Sequence, residues 1–249
     1  MFRMMKLRPP NGWNAVAWEL VIVVVGVLLA LLAQQWVEER TWQSKVTQSE
    51  VALRSEVANH YSWSVEWRMV TPCLLAQIDR LQQRVLASGS RLEPAPLFRE
   101  RNFSYVLRIP SKEYQTGIWE AAQLDGTTTR FHPATRDELS AHYEQVRLLI
   151  GHLGRNDEDS RRLRTLSTPV PLDSMVRYSL LQTLDQLRGR IEFVDLLSGQ
   201  LIDHLAKLKM VPSATKARRD VERFGTVHFC RARRLPLRSF AEAMSPVPN

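Results

Sequence analysis

From Leu20 to Ala33 every residue is apolar or glycine, and tryptophans bracket the run at Trp18 and Trp36. Such a run must be taken out of water, and a helix that closes its own backbone hydrogen bonds is the form that can lie in lipid. The uninterrupted stretch of about 14 residues is short for a span, but adding Ala15 to Trp18, with Glu19 near the interface, brings it to about 20, which suffices. Tryptophans at both ends suit headgroup anchoring. The competing reading is a cleaved secretory peptide, with Arg3, Lys6 and Arg8 as its charged region and Pro9, Pro10, Asn11 and Gly12 before the apolar run. Cleavage after Ala33 would place Leu31 where a small residue is wanted, so length and flanks favour an uncleaved anchor over residues 15–36.

Orientation rests on a narrow margin. Arg3, Lys6 and Arg8 on one side face Arg40, Lys45 and Arg54 on the other, and acids such as Glu38 and Glu39 count little. The first positive cluster precedes the helix and long domains translocate despite their charge, so residues 1–14 are expected in the cytoplasm and the remainder outside it. Within the span, Glu19, Gly26, Ala30, Ala33 and Val37 share one side at helical spacing. Gly26-x-x-x-Ala30 has the small-x-x-x-small form that lets helix backbones approach. A carboxylate within the membrane is costly and prefers a partner to lipid. That side is therefore a candidate packing face, toward a second copy or another membrane protein; the alternative is ordinary span composition with Glu19 reaching water.

The full chain of 249 residues has 44% hydrophobic and 24% charged content, so the part outside the membrane should fold. The net charge is +8, carried mostly by arginine, since only six lysines occur; this reads as a compositional skew rather than a binding specialisation. Cys73 and Cys230 cannot make a zinc site with paired ligand spacing. They suit one disulfide in an oxidising compartment, or else two separate buried thiols.

After Trp36 no proline or glycine occurs until Pro72, so the helix should run on as a stalk of roughly 50 Å at 1.5 Å per residue. Thr71-Pro72 signals a new or kinked helix, carrying Leu74, Ile78, Leu81 and Val85 to a stop at Ser88-Gly89. Residues 91–110 read as a proline-rich loop with a brief alternation at Phe103, Tyr105 and Leu107. Ser111 should cap a helix closing near Gly126. Thr135 to Glu138 resembles a capping box for a helix ending at Gly151 and Gly154. Asp157, Glu158 and Asp159 followed by Arg161, Arg162 and Arg164 look like acids at a helix start, preferred to an acidic metal site. Leu180, Leu184, Leu187, Ile191, Val194, Ser198, Leu201, Leu205 and Leu208 form a seam of four- and three-residue steps, either a dimeric coiled coil or the central helix of a bundle. Gly189 and Gly199 favour the bundle, with the stalk as partner. Residues 211–249 form a basic tail, in contact with anionic headgroups or simply solvated.

The expected architecture is therefore all-α: one transmembrane helix continuing into a stalk, and an elongated helical bundle over 37–210. No nucleotide, metallopeptidase or hydrolase motif is present, and the six histidines are scattered along the sequence. A non-catalytic protein with no cofactor and no bound metal is expected. Nucleic-acid binding lacks any motif beside the charge. An interaction or scaffold role is the leading expectation, with a ligand-sensing bundle as the alternative.

The anchor also resembles a known group. Glu19-Leu20, the apolar run, Gly26-Val27-Leu28-Leu29-Ala30-Leu31 and Trp36-x-Glu38-Glu39-Arg40 resemble the opening of a family of bacterial single-pass membrane proteins filed as a domain of unknown function. The likeness covers about 25 residues and departs at Gln34-Gln35, where many members carry asparagine. It implies a bacterial inner-membrane protein with a helical domain, and no reaction.

Overall fold

The computed structural model describes residues 12–100 and 103–245; the Arg3, Lys6 and Arg8 cluster lies outside them. The described chain is all-α with two minor strand pairs. Its long helices are α1 (Gly12–Ala87), α3 (Pro133–Arg162) and α4 (Ser174–Lys207), and its short ones α2 (Gly117–Leu124), α5 (Ala214–Glu222), α6 (Gly225–Ala232) and α7 (Phe240–Met244). Strand β1 (Arg91–Leu92) pairs antiparallel with β4 (Val170–Pro171), and β2 (Phe98–Glu100) with β3 (Phe103–Tyr105). The chain divides into two units, Met1–Ser49 and Glu50–Asn249.

In the first unit, the apolar residues of α1 from Ala17 to Val37 are all exposed; Leu20 and Leu29 keep 63% and 62% of their surface. An 18-residue window there has a mean hydropathy of 2.4 with none of it buried. By length and composition this is a helix able to cross a membrane. Polar bonds along the helix begin directly after it: Gln34 Nε2 donates to Glu38 Oε1 (3.0 Å), and the Arg40 guanidinium lies 3.9 Å from the Trp36 ring centroid.

The second unit has one core. Helix α1 contributes Leu53, Val57, Val65, Leu74, Ile78 and Val85, α3 contributes Leu139, Tyr143, Val146 and Leu149, and α4 contributes Leu184, Leu187, Ile191, Val194, Leu201 and Leu205. The last six are members of the leucine-rich seam, and the serine interrupting it, Ser198, is buried too. Helix α4 packs on α3, and it meets α1 through Arg188, bonded to Asp79 and Gln82. Asp173 caps α4 by accepting from Val176 N–H (2.8 Å). Gly126, at φ +79°, follows α2 in the left-handed conformation that glycine adopts without strain.

Several sequence-based boundaries are overridden. Helix α1 passes through Pro72 without ending. Proline removes the N–H that would bond to the Arg68 carbonyl, and Arg238 supplies donors there instead: its Nη1 reaches Arg68 O (3.1 Å) and its backbone N–H reaches Met69 O (3.1 Å). Helix α3 runs through Gly151 and Gly154 because its packing against α4 outweighs two weak propensities. It starts at Pro133, so Thr135 is not its cap. Asp157, Glu158 and Asp159 consequently stand near the C-terminal end of α3, against the dipole. They are held by side-chain partners instead: Arg161 (2.7 Å), Arg162 (2.6 Å) and Arg190 respectively. Helix α2 starts at Gly117, beyond Ser111. The compact unit begins at Glu50 rather than at residue 37, and the basic C-terminal segment is part of it, folded as α5, α6 and α7.

Candidate functional site

The anchor residues named from the sequence, Trp18, Glu19, Gly26, Ala30, Ala33 and Trp36, are exposed on α1 in the first unit. A Cβ added at Gly26 would meet nothing within 4 Å. Among the described residues, no protein atoms cover that face at Gly26.

Cys73 of α1 and Cys230 of α6 are joined by a disulfide across 157 positions, and both are fully buried. Near this bridge α1 carries Pro72 and receives Arg238, so covalent and polar ties hold the C-terminal segment to one part of α1. Arg238 also pairs with Asp195 of α4 (2.6 Å), and Arg68 Nη1 donates to Ser245 O (2.5 Å).

A polar file runs through the core of the second unit. Glu56, His60 and Ser64 follow one another four residues apart on α1, so they line one face, and all three are buried. Tyr143 of α3 donates its hydroxyl to Glu56 Oε1 (2.5 Å), and the other Glu56 oxygen accepts from Ile118 N–H (3.2 Å) in the first turn of α2. Trp119 stacks on Tyr143, with ring centroids 5.1 Å apart and planes 3° from parallel. His60 Nε2 lies 2.8 Å from the Gln115 carbonyl, and its Nδ1 lies 3.1 Å from Nε2 of His142. A carbonyl only accepts, so the proton sits on His60 Nε2, and His60 Nδ1 accepts from His142 Nε2–H. Both rings are then neutral, and His142 Nδ1 faces no donor among the described residues. Burial supports this, holding His60 down to about 4 and His142 to about 3, the latter further depressed by His60. Tyr143 is pushed up by burial and by Glu56.

Sequence reasoning missed this file because His60 and His142 lie 82 positions apart. The available signal was a Glu-x3-His-x3-Ser spacing in register with the apolar line Leu53 and Val57. Among the described residues no group of three or more histidine, cysteine, aspartate and glutamate side chains is arranged to hold a metal ion.

The site open to solvent is a cleft of about 840 Å³ between the segment 104–114 and the second half of α3. Trp67 of α1 and Tyr114 are buried residues of its lining, and Tyr105 stands beside them. Ile109, Pro110, Ile150 and Leu153 add apolar wall. Its charged lining is Arg108, Lys112, Arg161 and Arg164 against Glu113 and Asp157. Asp157 is engaged by Arg161, whereas among the described residues Lys112 and Arg164 have no carboxylate within ion-pair distance. Arg108 lies over the Tyr105 ring (5.3 Å) and donates to Ile109 O (2.8 Å). Behind it Glu66 is buried; desolvation pushes it up to about 7, against the opposing pull of Thr226, Lys112 and Arg108.

No family model, curated protein or solved structure matches the chain, so the reading of function rests on its own sequence and geometry.

Proposed function

We propose that this chain is a non-catalytic interaction or accessory protein of the bacterial inner membrane, anchored by residues 15–36, with its helical domain on the periplasmic side. The observation that carries the compartment is the buried Cys73–Cys230 bridge in a chain with an uncovered apolar helix near its N-terminus. Disulfides persist in oxidising compartments and are rare in the cytosol. Lipid would cover the exposed run, and Glu19, Gly26 and Ala30 offer a face to a second copy or another membrane protein. Reporter fusions at the C-terminus test the orientation. Alkaline phosphatase, active only outside the cytosol, should be active there, and a cytosol-restricted fluorescent protein dark. The reverse pattern, together with free thiols at Cys73 and Cys230 in cells, overturns the compartment.

A second reading, a helical bundle that senses a small ligand, is favoured by the cleft beside Trp67.

A further inference from the structure

We infer that the cleft between segment 104–114 and α3 is a binding site for a small organic anion, a carboxylate or phosphate ester carrying a flat apolar ring. This rests on the ligand-sensing reading and names the class of ligand. Its size is suitable: cavities that enclose small molecules run about 300–1,000 Å³, and this one is about 840 Å³.

Two observations choose the chemistry. Lys112 and Arg164 are exposed at the cleft with no carboxylate in ion-pair distance among the described residues, so they attract negative charge. The aromatic side chains Trp67, Tyr105 and Tyr114 in the lining supply wall for a ring rather than for a bare ion.

Exposed cations with no paired carboxylate select an anion over an amine. The apolar wall selects an organic anion over an inorganic one. Glu113 and Asp157 also line the cleft, and they bias against polyanions.

Titration calorimetry of the full chain in lipid nanodiscs, corrected for empty discs, tests the site with 2-naphthoate and phenyl phosphate; uncharged 2-naphthamide is the control. The expected result is saturable binding of at least one acid, with the amide about tenfold weaker or worse. The double variant Lys112→Ala/Arg164→Ala removes two exposed side chains and should weaken acid binding at least about tenfold while the chain keeps its helical circular dichroism and a cooperative melt. Arg218→Ala/Lys207→Ala, which removes equal charge elsewhere, should leave it unchanged. The ranking of the two acids separates a carboxylate from a phosphate ligand. No saturable binding of either acid up to about 5 mM, an amide that binds as well as the acid, or wild-type binding by the Lys112/Arg164 variant overturns the site. None of these results bears on the reporter-fusion test of orientation, so the two can fail separately.

Discussion

Glu66, His60 and His142 are buried groups whose protonation affects the stability of the second unit, and they act in opposite directions. Glu66 is raised from 4.5 to about 7, so the folded chain keeps a proton that the unfolded chain has lost. Its contribution is full below pH 4.5 and is lost as pH rises through about 7. His60 and His142 are lowered from 6.5 to about 4 and about 3, so the unfolded chain takes up protons first. Their contribution is full above pH 6.5 and is lost as pH falls toward 4 and then 3. Between pH 4.5 and 6.5 two histidines oppose one carboxyl, and stability falls with acid. Glu66→Gln removes the carboxyl's part. In urea titrations of the full chain at pH 8 it should be more stable than wild type by about 1–3 kcal/mol, with the gap closing near pH 4.5. A variant no more stable than wild type at pH 8 counts against a Glu66 carboxylate penalised by burial.

At the scale of elements, the crossing at Pro72 explains why the C-terminal segment is ordered. Proline inside a helix normally breaks it, at a cost of about 3 kcal/mol. Here the residues around Arg238 occupy the carbonyls of Arg68 and Met69, and Asp195 orients the guanidinium. Arg177 does similar work at the end of α1, donating to Val85 O, Ser88 O and Gly89 O. Arg238→Ala should therefore destabilise the domain by about 1–3 kcal/mol, the range for leaving buried acceptors unmet. Hydrogen exchange should rise at α7 and around residues 68–72 together. Pro72→Ala in the same background restores the missing N–H and should recover part of the loss. An Arg238→Ala variant with wild-type exchange at residues 68–72 removes this account.

At the scale of the molecule, the disulfide closes a loop across 157 positions. In the chain-entropy model a closure of that length contributes roughly 5 kcal/mol. Cys73→Ser/Cys230→Ser should lower the melting temperature of the full chain markedly, and reductant should do so for wild type but not for the variant. An equal response of both to reductant would mean that the bridge is not the reducible element.

How much of this was legible depended on the range of the interactions. The apolar run with its tryptophans, the all-α class and the seam from Leu184 to Leu205 were readable, because local composition and periodicity dictate them. A run of apolar residues must leave water wherever the rest of the chain lies, and a repeat of three and four places one face inward whatever it meets. Helix ends were less legible. Pro72, Gly151 and Gly154 carry local breaking signals that are overcome by contacts with Arg238 and α4, which lie far along the sequence. Asp157, Glu158 and Asp159 were misplaced for the same reason. The pairing of His60 with His142, the Tyr143–Glu56 bond and the cleft beside Trp67 were decided only by the tertiary structure. Each joins side chains from separate helices, and no local pattern specifies which helix faces which.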